Sequence, residues 1–261
     1  MEKRLEKLLE KHNYLNKTIK YLRCGKIFEY DLKNAGFSVI KAKSLLSKDL
    51  IEYIDTLDKK NQNIVIGKLS TEYTNLFSEI LNEFILLRNK FVIKNNLEFN
   101  DILSIKKDAI FTFKQCNNLQ IGENYSFIKK NEYSSYLYID NKEFYYNFNK
   151  DTISIKGLSN LNNHISMINF IKKSLRLMEE SENKLKIFNY LKKFKEEYIN
   201  GQLDISYYRE MNNNGLYRLE DIIQSNATSI YLNYANNSSK EFISNRYNYV
   251  HIIQKIIEIM L

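Results

Sequence analysis

The stretch at residues 100–113, NDILSIKKDAIFTF, constrains the chain more than any other. Two short hydrophobic segments, 102–105 and 109–113, flank a polar corner formed by Lys106, Lys107 and Asp108. β-Branched and aromatic residues on both sides favour a strand–turn–strand unit over a helix. A carboxylate held at such a corner beside two lysines has two readings. It is an ordinary solvated hairpin tip, or it is a ligand for a hard divalent cation that meets a phosphate chain.

The segments before this hairpin give it a context. Residues 1–22 carry Leu5, Leu8, Leu9, Leu15, Ile19 and Leu22 at three-and-four spacings, which predicts one amphipathic helix with a glycine stop at Cys24-Gly25. A short strand over 26–30, KIFEY, delivers Asp31. Asn34, Ala35 and Gly36 then crowd a turn, where Gly36 allows a positive φ or the close approach of another group. A second helix is expected over 45–57, with 58–63 as its polar exit. The longest helix pattern, 72–95, puts Leu76, Ile80, Phe84, Leu87 and Phe91 on one face. It feeds the hairpin, so Asp31 and Asp108 are expected at adjacent strand ends.

Beyond Tyr125 the texture turns to β. YSFIKK, YSSYLYID, EFYYNF and TISIKGL alternate aromatic and polar residues around turns at Asp140-Asn141 and 149–151. From residue 160 the pattern is helical again. Long helices are expected over 164–181 and 182–200, with shorter ones near 203–210, 219–224 and 242–260. The tract SNATSIYLNYANNSS among them is polar and irregular.

Composition narrows the class. A chain of 261 residues makes one large domain or two modest ones. Its net charge of +8 points to a polyanionic partner. Cys24 and Cys116 lie far apart with no second cysteine or histidine nearby, which argues against zinc and a disulfide framework and fits a reducing cytoplasm. The charged N-terminus lacks the apolar core of a signal peptide, and no window approaches the ~18 apolar residues of a membrane span. His12, His164 and His251 are isolated, so Ser-His-Asp or Cys-His chemistry has no support.

Several of these pieces resemble, in order, the palm and thumb of family B DNA polymerases. That family's first palm motif is a hydrophobic strand, an aspartate and then roughly SLYPS. FEYDLKNAGFS, from Phe28 to Ser38, is similar in its strand, in Asp31 and in its last serine. The next palm motif, YGDTDS, is resembled by SIKKDAIF, with Asp108 at the second aspartate and Lys106 at the first. IKKNEY, containing Lys129, Lys130 and Tyr133, is similar to a KKxY element that touches the primer–template duplex, with the tyrosine one place further on. ISIKGL, containing Lys156, resembles a KGI-like strand end. The fingers motif has no clear match, and Lys59, Lys60 and Lys68 are the nearest basic candidates for a triphosphate contact. The tyrosine that excludes a ribose 2′-hydroxyl falls at Gly36, with Phe37 one register away. Only 25 residues precede the first matched strand, which leaves no exonuclease domain in this chain.

The resemblance implies an α+β fold: a polymerase-like palm with a small antiparallel sheet packed on helices, then a helical thumb-like region. It divides the chain into an N-terminal helix (1–25), a palm-like domain (26–160) with a reduced fingers insertion (42–70), and a thumb-like domain (161–261). It implies template-directed nucleotidyl transfer on a DNA or RNA primer–template, with Asp31 and Asp108 holding Mg2+ or Mn2+. Lys106 and Lys107 would steer phosphate, and other replication proteins would supply what is missing. The competing readings are an inactive, polymerase-derived replication accessory that binds nucleic acid, and a helical interaction protein. For single residues the plainer alternatives are Asp31 as a helix N-cap, the lysines as guards of a strand edge, and the tyrosines as sheet packing.

Overall fold

A computed structural model describes residues 3–159, 161–204, 206–207 and 249–260. It is α+β, and its strands form two antiparallel sheets. The chain folds as two compact units. The first comprises Met1–Thr18 and Lys26–Glu132, and the second Ile19–Gly25 and Tyr133–Leu261. The expected boundary at residue 160 therefore falls inside the second unit. The expected helix near 219–224 and the tract at 225–239 lie outside the described residues, as do 205 and 208–210 of the helix expected near 203–210 and 242–248 of the one expected near 242–260.

In the first unit, α1 (Lys3–Leu9) and β1 (Asn13–Leu15) precede β3 (Ile27–Leu32); β2 (Tyr21–Leu22) belongs to the second unit. The single helix expected over 1–22 is thus corrected to one short helix and two strands. The reason is tertiary: β1 pairs antiparallel with the strand at Ile102–Lys106, with Asn13 opposite Lys106 and Leu15 opposite Ser104. Asn16 then accepts from the backbone N–H and the hydroxyl of Thr18, a local turn that competes with helix.

Helices α2 (Ala35–Lys43), α3 (Lys48–Asp55), α4 (Lys59–Glu72) and α5 (Leu76–Lys94) follow. Residues 58–63 open α4 rather than close α3. The Asp58 carboxylate accepts from the N–H groups of Lys60 and Asn61, the N-cap that ends an otherwise unsatisfied helix start. The left-handed residue at the α2 start is Asn34, with φ 48°, and Gly36 lies within the first turn of α2. A Cβ at Gly36 would meet only the Ile66 side chain at 3.9 Å, an ordinary contact.

β4 (Ile102–Lys106) and β5 (Ala109–Thr112) form the hairpin, turning on Lys107 and Asp108, and complete a sheet of order β1-β4-β5-β3-β6 with β6 (Phe127–Tyr133). One face of this sheet lies on α5. Phe28, Tyr30 and Leu32 of β3 join Ile80, Phe84, Leu87 and Phe91 in the first core. Ring centroids run 5.3 Å from Tyr30 to Phe91 and 4.4 Å from Phe91 to Phe127, which locks helix to sheet. Strand alternation sends Glu29 and Asp31 to the opposite face.

The second unit sets β2, β7 (Ser135–Ile139), β8 (Lys142–Asn147) and β9 (Thr152–Lys156) against α6 (Ile165–Glu180), α7 (Lys184–Ile199) and α8 (Tyr249–Met260). Leu137, Ile139, Phe144 and Tyr146 pack with Phe170, Leu191, Phe194 and Ile252, which is why residues 133–159 belong with the helices. Asp140 and Asn141 have φ of 48° and 63° and join β7 to β8 as a two-residue loop, the type I′ geometry that suits strand twist. Gly157, with φ 82°, closes β9 where an added Cβ would sit 2.6 Å from the Asn141 carbonyl oxygen. Gly157→Ala is expected to cost about 2–5 kcal/mol, from left-handed strain and backbone displacement. Chemical denaturation checks it, and a loss under ~0.5 kcal/mol would contradict that contact.

Candidate active site

β3 and β5 are antiparallel neighbours, with Asp31 opposite Ala109. The Leu32 N–H donates to the Asp108 carbonyl at 3.3 Å. Asp31 therefore ends one strand where Asp108 turns into the next, although 77 positions separate them in the chain (108 − 31). Burial raises the Asp108 pKa above the ordinary carboxylate value, and the nearby Asp31 charge raises it further. Lys130 and Lys107 act in the opposite direction. Asp31 is in β3, and the N-cap of α2 is Asn34, so the helix-cap reading of Asp31 is not what the backbone does.

Lys130 reaches across from β6. Its ammonium lies 2.5 Å from Asp31 Oδ2, and the Asp31 contact raises its own pKa. On the same side, the amide of Asn131 donates to Glu29 Oε2 at 2.7 Å. Glu29 is buried, which makes this one acidic sheet face with cationic and amide partners drawn from β6. Among the described residues, no three His, Cys, Asp or Glu side chains converge to hold a metal ion. The candidate is a pair of neighbouring carboxylates, of which Asp31 is ion-paired with Lys130.

The hairpin tip is fixed from below by Arg88 of α5, which is 1% exposed. Its Nη1 donates to the carbonyls of Lys107 at 2.6 Å and His12 at 3.1 Å, and Nη2 to that of Lys11 at 2.8 Å. Burial pushes the Arg88 pKa down to about 10, and the Asp108 charge pulls it back up, so the guanidinium is cationic at neutral pH. Lys107 itself has φ 52°, a left-handed conformation held by this clamp and by its N–H bond to His12 O at 2.9 Å. Sequence pattern alone does not single out Arg88, Glu29 or Asn131. The one signal for Arg88 is its place between Leu87 and Phe91 on the apolar stripe of α5.

The other candidate residues scatter. Phe37 is buried in the first core and carries no free ring face, so it is corrected from nucleotide contact to core residue. Gly36 needs neither the positive φ nor the close approach expected of it. Lys59, Lys60 and Lys68 are exposed on α4. Lys106 ends β4 and is part-buried, while Lys107 is exposed at the turn. Lys129 lies 2.6 Å from Glu132 and 4.8 Å from the Phe28 ring centroid. Tyr133 and Lys156 belong to the second unit, where Tyr133 is buried with its ring 5.2 Å from Tyr145 and Lys156 pairs in register with Glu143. Tyr133 is therefore corrected from a nucleic-acid contact to sheet packing.

No helix among the described residues is long and apolar enough to cross a membrane. Neither Cys24 nor Cys116 is in a disulfide. The class so defined is an α+β protein with a paired carboxylate at adjacent strand ends of an antiparallel sheet. Over residues 3–261 the chain matches the Bacteriophage PBS1 gene 130 protein family, and it belongs to that family. No curated protein matches it.

Proposed function

We propose that this chain is a nucleic-acid-binding, template-directed nucleotidyltransferase of DNA-polymerase type, with Asp31 and Asp108 as its catalytic carboxylates. The observation that supports this most is the β3–β5 pairing, which puts the two aspartates at adjacent strand ends. On this reading the first unit is a palm with α3 and α4 as reduced fingers, and the helices of the second unit are a thumb. The carboxylate pair fits Mg2+ or Mn2+ by donor chemistry, since both ligands are hard oxygens and Asp31 already attracts a cation in Lys130. When bound, such an ion neutralises phosphate charge and activates the attacking 3′-hydroxyl. The chain's own contributions are distinct. The β backbone sets the spacing of Asp31 and Asp108, Arg88 holds the hairpin tip, and Lys107 offers an exposed point charge to phosphate.

A second reading is favoured by one observation. The Lys130 ammonium occupies Asp31, and Lys106 stands where a third carboxylate would serve, as in a site that binds nucleic acid without turning over. Extension of a labelled primer–template with Mg2+ or Mn2+ and either dNTPs or NTPs separates the two. Extension that requires both aspartates supports transfer, and retained template binding without extension supports the accessory.

Lys130 also gives a quantitative prediction. A divalent ion on Asp31 competes with its ammonium, so Lys130→Met is expected to tighten Mn2+ binding about tenfold, the partly exposed pair being screened by water. Calorimetric titration checks this. Weaker binding in the variant would mean that Lys130 supports the ion rather than displacing it.

A further inference from the structure

Glu29 is 1% exposed, and a carboxylate so buried is costly unless charge and hydrogen bonds meet it. It stands two residues before Asp31 on β3, so strand alternation sends both carboxylates to one face, the face turned away from α5. What meets them comes from β6, the neighbour of β3 in the sheet. Asn131 donates its amide to Glu29 Oε2 at 2.7 Å, and Lys130 sets its ammonium 2.5 Å from Asp31 Oδ2. The Asp31 contact is the main cause of the raised Lys130 pKa; burial opposes it, and the Glu29 and Asp108 charges add to it. One flexible ammonium therefore answers to three carboxylates of the first unit and is ion-paired with Asp31. We propose that Glu29 is a second berth for the Lys130 ammonium, receiving it from Asp31 when Asp31 is given over to a divalent cation. The proposal rests on Asp31 and Asp108 being the cation site, and it assigns a role to a buried glutamate that the carboxylate pair does not use.

An ammonium that leaves Asp31 has two destinations. Swinging into water takes a compensating charge away from Glu29, which stays buried whatever happens at Asp31. Passing to Glu29 keeps a buried negative charge paired, and breaking a buried pair costs more than exchanging one partner for another. Lysine suits the transfer, being a compact point charge with three rotatable donors on a four-carbon stem. An ionised carboxylate has about four acceptor sites, so accepting from Asn131 does not exclude the ammonium. Asn131 holds the berth in place. Glu29 is thus a positioning residue, which acts on the cation site through Lys130.

Two measurements on the full chain test this, one of them without any metal. Asp31→Asn removes the first berth, as occupation of Asp31 by a cation would. Urea denaturation of Lys130→Met, Glu29→Gln and the double variant gives the coupling between the two side chains, in the wild type and again in the Asp31→Asn background. Glutamine keeps the shape of Glu29 and an oxygen for Asn131, so the fold is retained. The expected coupling with Asp31→Asn is about fivefold in the folding equilibrium constant, and larger than in the wild type. Coupling no larger with Asp31→Asn than without it overturns the berth. The second measurement is calorimetric titration with Mn2+. Glu29→Gln is expected to weaken Mn2+ binding about fivefold in the wild type and by clearly less in Lys130→Met, where no ammonium needs a second berth. Equal weakening in both backgrounds would mean that Glu29 acts on the ion directly, and overturns the transfer. If the wild type takes up no Mn2+, the cation reading of Asp31 and Asp108 falls, and the denaturation cycle alone decides whether Glu29 receives the ammonium.

Discussion

Arg88→Ala is expected to destabilise the protein by about 3–5 kcal/mol, because it breaks a buried cationic clamp that donates three hydrogen bonds. The guanidinium is buried, and three backbone carbonyls, those of Lys11, His12 and Lys107, take their hydrogen bonds from it. Removing it takes a donor from each of those carbonyls, leaving His12 O with only the Lys107 N–H, and empties the volume beneath the hairpin tip. Arg88→Lys keeps the charge but loses the planar fork that reaches two carbonyls from one nitrogen and a third from the other, so most of the loss should persist. Equilibrium urea denaturation measures both variants. A cost below ~1 kcal/mol for Arg88→Ala would show that water replaces the clamp at little expense.

Asp108→Asn is expected to divide activity from stability. If Asp108 is a catalytic carboxylate, primer extension should fall about 10³-fold, equivalent to ~4 kcal/mol of barrier. Stability should move the other way or not at all. The folded-state pKa of Asp108 is raised by burial and by Asp31, so ionising it costs the fold. The wild type therefore loses stability as pH rises from the unfolded carboxylate pKa through the raised folded value, and that loss persists at neutral pH. Asparagine carries no such penalty. Denaturation of the two proteins between pH 3 and pH 7 should thus show the variant gaining on the wild type as pH rises. A variant that loses both activity and stability at pH 7 would make Asp108 a structural residue.

Much of this arrangement can be read from local pattern, because local pattern is what the relevant elements depend on. The hairpin declares itself through β-branched residues on either side of a charged corner. α5 declares itself through Leu76, Ile80, Phe84, Leu87 and Phe91, all buried. Asp31 at a strand end follows from KIFEY. What local pattern misses depends on partners distant in sequence. Leu15 and Leu22 keep helical spacing with Leu8, but β1 finds β4 some ninety residues on, and sheet pairing wins over a weak helical repeat. Residues 58–63 resemble a loop because a helix start rich in Asp, Lys and Asn has no apolar stripe, and only the Asp58 cap marks it.

The site shows the same division. The two aspartates are legible as residue types at strand ends, whereas their partners are not. Lys130 meets Asp31 from 99 positions away, and nothing in IKKNEY says that one lysine of the pair turns to a carboxylate while the other turns to Glu132. Phe37 and Gly36 become candidates only through motif spacing, which carries no information on which side of α2 faces the core. Phe37 faces it.

The most direct measurement is Mn2+ binding to the full chain at pH 7.5, followed by calorimetry in the wild type, Asp31→Asn and Asp108→Asn. If the carboxylate pair is the cation site, the wild type binds Mn2+ and each single substitution removes that binding while the protein stays folded. Absence of binding in the wild type, or binding that survives both substitutions, would contradict the assignment of Asp31 and Asp108 as catalytic ligands.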